Sequence, residues 1–134
     1  AFQTARLFER AAEVVEELAG RGLVLAVATG KSRRGLDRDL DATGLGRFMA
    51  ASRTAEETRS KPDPAMLLEL MHGTGAAPET TVMVGDTEWD LEMARRAGVP
   101  AVAAGYGAHA PDRLQRYAPL ACIDSIAALP MLLP

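Results

Sequence analysis

The sequence predicts a three-layer α/β domain built on a parallel sheet. Three observations carry that expectation. Short apolar runs rich in Val, Leu and Ala, as at residues 23–28 and 81–84, suit strands buried on both faces. Stretches of helical periodicity alternate with those runs, which is the pattern of strand–helix–strand units. Size and makeup agree: 134 residues form one ordinary domain, and 48% apolar with 25% charged residues is the balance of a globular chain. Aromatics are only 4%, so Leu, Val, Ala and Met must fill the core.

The elements follow in order. Leu7, Phe8, Ala11, Ala12, Val14, Val15 and Leu18 form one apolar helical face, with Glu9, Glu13, Glu16 and Glu17 largely opposite. Gly20 and Gly22 end that helix, and residues 23–28 read as the first buried strand. A second helix fits residues 32–43, closed by Gly44 as its C-terminal cap. Residues 48–51 give a weaker strand pattern, and a polar loop follows through Ser60. Pro64 suits the first turn of a helix running to about Gly73. Residues 81–84 read as a strand that meets Gly85-Asp86, then a helix over 88–97 ends at Gly98. Residues 100–104 repeat the strand pattern, a short helix is placed near 111–117, a strand at 120–123, and a last helical stretch from Ile126. No repeat, low-complexity tract or linker divides the chain, so residues 1–134 read as a single domain.

Several function classes are disfavoured. With 15 Lys+Arg against 18 Asp+Glu the formal charge is −3, which gives no broad footprint for nucleic acid. Cys122 is the sole cysteine, so an internal disulfide and a cysteine-built zinc cage are excluded. No apolar run approaches the ~20 residues that span a bilayer, and no charged-then-apolar leader opens the sequence. A soluble, cytoplasmic domain with no membrane partner is expected.

Ligands of open α/β sheets gather at the carboxyl ends of strands, and three polar clusters fall there. In Val84-Gly85-Asp86-Thr87-Glu88-Trp89-Asp90, two carboxylates lie one helical turn apart at a strand tip. Paired hard oxygens there suit Mg²⁺. They also suit a helix cap at Asp86 with Asp90 complementing the helix dipole. In Ala28-Thr29-Gly30-Lys31-Ser32, a hydroxyl and backbone N–H groups at a helix start make an anion site, or an ordinary loop with Ser32 as N-cap. The spacing is not that of a P-loop. In Ser60-Lys61-Pro62-Asp63-Pro64, two prolines stiffen the backbone around a lysine, which can act as a point charge on phosphate or stand solvated.

Taken together, the wording ATGKSRRGLDRDL, then SKPDPAML, then VGDTEWDLEMARRAGV resembles the haloacid dehalogenase superfamily, in particular its phosphoglycolate-phosphatase-like members. The three clusters look like the second, third and fourth motifs of that family, across roughly residues 20–110. The resemblance implies a Rossmann-like core and a Mg²⁺-dependent phosphomonoester hydrolase acting on a small phosphorylated metabolite. It implies that Thr29 and the Gly30 amide hold phosphate, and that Lys61 stabilises charge on the nucleophile and transferring group. Asp86 would bind Mg²⁺ directly, and Asp90 would support it directly or through water.

The first motif of the family, D-x-D-x-[TV] at the end of a strand, carries the nucleophile and is not matched at any strand end. Asp37-Arg38-Asp39 lies in a helical stretch with no strand before it. The cap domain is not matched either. The resemblance places the missing strand between those bearing the second and fourth motifs. An incomplete sheet with a gap is therefore expected, together with little turnover from the chain alone and association with a completing segment or a second copy. A non-catalytic phosphate-binding or interaction module is the other reading.

Further residues are assigned local roles. Met66, Met71, Met83 and Met93 are expected in the core, and Cys122 as an inert buried thiol. His72 and His109 are expected at the surface or in local caps, and Trp89 shielding the metal loop or packing locally. Arg33 and Arg34 are expected on a solvated face, and Arg95 and Arg96 complementing a helix C-terminus. The resemblance also allows Gly105-Tyr106-Gly107-Ala108-His109 to line the rim of the site.

Overall fold

The computed structural model describes residues 2–133, with side chains from residue 11 to residue 133. Leu7 and Phe8, expected on the apolar face of the first helix, lie outside the described side chains. The chain alternates as expected: α1 (Phe2–Gly20), β1 (Leu25–Thr29), α2 (Arg33–Thr43), β2 (Met49–Thr54), α3 (Ala65–Thr74), β3 (Met83–Gly85), α4 (Glu88–Ala97), β4 (Ala101–Ala104), α5 (Pro111–Gln115) and β5 (Ala121–Ile123). Every strand pairing is parallel.

Local chemistry sets the boundaries. Ser32 caps α2 by accepting the Gly35 N–H, and Gly44 ends the helix with φ +72°, a conformation that suits a residue without Cβ. Gly98 ends α4 in the same way, with φ +73°. Two differences from the expected layout concern short pieces. β2 begins at Met49 and runs on to Thr54, because its register with β1 pairs Thr29 with Thr54 and draws residues 52–54 out of the expected loop. The stretch from Ile126 is a 3-10 turn, Ile126–Met131, with Pro130 inside it.

The layers separate into two apolar faces. Met66, Leu67 and Met71 of α3 pack with Met83 of β3 and with Met93, Ala94 and Ala97 of α4. Val14 and Leu18 of α1 pack on the other face against Val102, Ile123 and Leu129. All four methionines expected in the core are buried there. Their unbranched, polarizable side chains fill what a chain poor in aromatics leaves open.

The sheet is interrupted. β1 pairs only with β2, while β3, β4 and β5 form a separate ladder in that order. Between β1 and β3 lies a cleft of about 650 Å³. β1 and residues 81–84 form its sides, with Val15 and Leu18 contributed by α1 and Leu67, Leu70 and Met71 by α3. A strand within a packed sheet occupies about 3.3 Å of rise, about 4.8 Å of spacing and about 10 Å of thickness, roughly 160 Å³ per residue. The cleft therefore has room for about four residues of extended chain. Its presence explains why Leu25, Val27, Val82 and Val84 are only half-buried in a sheet of this type. The gap expected between the strands bearing the second and fourth motifs, β1 and β3, is thus a feature of the fold.

Candidate active site

Asp86 and Asp90 bracket the start of α4 and have separate roles. The N-cap is Thr87, whose Oγ1 accepts the Asp90 N–H at 3.2 Å while Asp90 closes a capping box. Asp86 is therefore not the cap. The Asp90 carboxylate is buried, 3% exposed, at a place where an uncompensated charge is costly. Its Oδ2 accepts the N–H groups of Asp86 and Thr87, each at 3.1 Å, and the Thr87 hydroxyl at 2.9 Å. Its Oδ1 has no angularly satisfied hydrogen bond and is neutralised by an ion pair with Lys61 Nζ.

Lys61 reaches that oxygen from the loop before α3, where its peptide bond to Pro62 is cis and Asp63 Oδ1 accepts the Ala65 N–H at 2.9 Å. Its side chain is only 18% exposed, so it is not the solvated surface lysine of the blander expectation. The structure thus joins Lys61, Asp90 and the Asp86 turn in one connected unit. Gly85 makes the approach possible: an added Cβ would stand 2.3 Å from Asp90 Cβ. Gly85→Ala is expected to lower stability by about 1–3 kcal/mol through overpacking. Thermal unfolding of the variant checks this, and an unchanged midpoint would show that Asp90 has room to move.

Thr29 and Gly30 stand at the carboxyl end of β1, on the far side of the cleft from Asp86. Thr29 Oγ1 accepts the Lys31 N–H at 3.1 Å and keeps its own proton to donate. The start of α2 is already supplied with oxygens. Ser32 takes the Gly35 N–H, and Glu56 Oε1 takes the Arg33 N–H at 2.6 Å. Thr29 and Gly30 make no described contact with Lys61, Asp86 or Asp90.

The remaining residues settle into the fold. Arg33 is engaged by Asp37, Ser52 and Glu57, and its guanidinium, with help from Thr54, holds the Glu57 carboxyl below the usual carboxylate range. Asp37 and Asp39 pair with Arg33 and Lys31 within and beside α2, and the D-x-D-x-T run at Asp39-Leu40-Asp41-Ala42-Thr43 likewise lies inside that helix and not at a strand end. Arg95 and Arg96 both hold Glu92, whose carboxyl is lowered to about 2 by those two hydrogen bonds. His109 forms a local cap, its Nδ1 accepting the Glu88 N–H at 3.0 Å. Trp89 is 53% exposed and meets the His109 ring edge-on, with centroids 6.2 Å apart. Cys122 is free and half-buried rather than fully buried, with the Gly105 backbone close to its Sγ. Sequence reasoning missed the Lys61–Asp90 pair, because no spacing rule links residues from separate loops.

The donor set fits a hard cation in a limited way. Asp86 Oδ2 accepts the Ala108 N–H at 3.0 Å, and no hydrogen bond reaches Oδ1 among the described residues. Both oxygens of Asp90 are taken up within the protein. Among the described residues no group of three His, Cys, Asp or Glu side chains is placed to hold a metal. One carboxylate oxygen completed by waters and a phosphate is a set Mg²⁺ accepts, since it dehydrates reluctantly. No helix of the described residues is long and apolar enough to cross a membrane.

Comparison with known proteins fits this arrangement. The family model described as haloacid dehalogenase-like hydrolase matches residues 1–104. The "Probable phosphatase IndB" of Dickeya dadantii is 39% identical over 118 residues, which are 85% of this chain and 51% of that protein. A pyrophosphatase, PpaX, of Oceanobacillus iheyensis is 30% identical over 89% of this chain and 56% of its own length. In structure, a "predicted phosphoglycolate phosphatase" from Haemophilus somnus superposes with a TM-score of 0.86 at 26% identity, covering 92% of this chain and 55% of that one. The chain spans about half the length of the relatives it matches.

Proposed function

The chain belongs to the haloacid dehalogenase-like hydrolases, and on that premise we propose that it forms the phosphate- and cation-binding part of a cytoplasmic, Mg²⁺-dependent phosphatase for a small phosphorylated metabolite of the phosphoglycolate kind. The observation that carries this reading is the buried Lys61–Asp90 pair bonded into the Asp86 turn. It holds a fixed positive charge beside a carboxylate with one oxygen uncommitted. Phosphoryl transfer asks for such positioned, opposite charges more than for covalent chemistry.

The roles divide accordingly. Asp86 Oδ1 would hold the cation, which would neutralise charge on the phosphoryl oxygens. Asp90 acts through its neighbours, fixing the Asp86 backbone and orienting Lys61. Lys61 offsets charge on the transferring group and on the attacking oxygen. Thr29 donates its hydroxyl proton, and the Gly30 amide adds a second donor to the phosphate from across the cleft. The nucleophile would come from a strand filling the cleft.

Asp86→Asn in the protein with that strand present is expected to abolish Mg²⁺-dependent phosphate release. A variant whose hydrolysis keeps the wild-type Mg²⁺ dependence would remove Asp86 from the site and the proposal with it.

The cleft itself supports a second reading. Two unpaired parallel strand edges facing each other invite another chain. A protein that binds phosphate through Thr29 and Lys61 and uses those edges for assembly, without hydrolysis, has the same surface. Phosphate binding with no phosphate release from any completed form would favour it.

A further inference from the structure

The loop after β2 holds both sides of the cleft. It begins at Thr54, a fully buried residue that pairs in register with Thr29. Glu57 folds the chain back there: its N–H donates to the Thr54 carbonyl at 3.1 Å, and its Oε1 accepts the Thr54 N–H at 2.8 Å. Two carboxylates then fasten this turn to the start of α2. Glu56 Oε1 accepts the Arg33 N–H at 2.6 Å, and Glu57 Oε1 accepts from Arg33 Nη2 at 2.7 Å. Arg33 Nη1 also donates to Ser52 Oγ at 2.9 Å, so the end of β2, the turn and α2 form one block. Further along the same loop, Lys61 reaches out of that block and pairs with Asp90 on the β3 side.

We propose that Glu56 is a positioning residue for phosphate binding: it fastens loop 54–61 to the start of α2 and so sets where Lys61 stands relative to Thr29 and Gly30. The inference rests on the reading of those three residues as the phosphate-binding groups. Asp90 fixes Lys61 to one side of the cleft, and Glu56 fixes the loop to the other. Strand pairing does not set the separation, since β1 and β3 belong to different ladders. A phosphate that must touch both sides binds only the molecules in which they stand correctly, and its affinity scales with that fraction. A carboxylate suits the task, because the positive end of a helix favours it and a charge-assisted bond to an N–H is a strong one. The same negative charge repels a nearby phosphate. The bond and the charge of Glu56 therefore act on phosphate affinity in opposite directions, and substitution separates them.

The test needs no turnover. Inorganic phosphate is the probe, and backbone amide shifts of the purified protein read its binding at Gly30 on one side and at Thr87 on the other. Glu56 is exposed, so its replacement leaves the core intact. Glu56→Gln keeps the acceptor and removes the charge. Glu56→Met removes both at similar length, and Glu56→Ala does so with less bulk should the Met variant lose its dispersed spectrum. The dissociation constant is expected to rise about fivefold in the Met or Ala variant, the effect of losing one side-chain acceptor at a helix start. The Gln variant is expected to bind at least as tightly as wild type. Wild-type affinity in the Met or Ala variant overturns the proposal, and so does a Gln variant as weak as Met, which would make the charge the thing that counts. Tighter binding in every variant also overturns it, because the carboxylate would then act by repulsion alone. Wild-type protein that binds no phosphate overturns instead the assignment of Thr29, Gly30 and Lys61 on which the inference rests.

Discussion

Lys61→Met is expected to end phosphate release and to destabilise the protein by about 3–5 kcal/mol, because it strands a buried carboxylate without its counter-charge. Asp90 is 3% exposed, and among the described residues only Lys61 neutralises its Oδ1. The backbone donors on Oδ2 cannot move across to replace the lost charge, since they belong to the capping box of α4. The two losses have different origins, and a second variant separates them. In Lys61→Met/Asp90→Asn the buried side chain is neutral and still offers an acceptor to the Asp86 and Thr87 N–H groups. Most of the lost stability is expected to return in urea unfolding, while hydrolysis stays absent. Full stability in the single variant would refute the ion pair, and hydrolysis by the double variant would show that phosphate does not use the charge at position 61.

The chain alone is expected to release phosphate no faster than buffer. Joined to an apolar strand that ends in D-x-D-x-[TV], it is expected to release phosphate at least about 10⁶-fold faster in the presence of Mg²⁺, the lower end of enzymatic rate enhancement. An attacking oxygen must lie in line with the leaving group, and the D-x-D runs of this sequence, at residues 37–39 and 39–41, lie inside α2, where Asp37 and Asp39 are paired with Arg33 and Lys31. A strand entering the cleft parallel to β1 and β3 would deliver its carboxyl end between Thr29 and Asp86, which lie at the matching ends of those strands. Colorimetric phosphate release from a generic phosphomonoester checks both halves. Hydrolysis by the chain alone would mean that the nucleophile is among its own residues. A joined protein that binds phosphate and leaves it intact would establish the assembly role.

The sequence made the layout of the domain legible where a local rule applies. α2 was bounded by Ser32 and Gly44, and the end of α4 by Gly98, because caps are written in one or two residues. The end of β2 was not legible, since residues 52–54 become strand only through pairing with β1. In the site, the carboxylates at a strand tip were visible as a pair, but their division of labour was not. Asp90 is buried and paired because Lys61 comes from another loop, and Asp86 is left with one oxygen because Ala108 comes from a third. Such contacts span 22 to 29 positions of sequence and obey no period. The reading of Asp86 as a helix cap failed for a local reason: Thr87, one residue on, offers a hydroxyl in the better place.

The break in the sheet also has a bearing on how the molecule opens. No ladder of backbone hydrogen bonds joins β1–β2 to β3–β4–β5, so the two parts are coupled through side chains, those of α1 and α3 and the Lys61–Asp90 pair among them. Val102, Ala103 and Ala104 of β4 are almost fully sealed, whereas β1 stays half-open to the cleft. Amide hydrogen exchange should therefore resolve two cooperative units, with residues 25–29 and 49–54 exchanging through a lower-energy opening than residues 101–104. Filling the cleft would fuse them into one, and the completed protein would then protect both ladders to the same free energy.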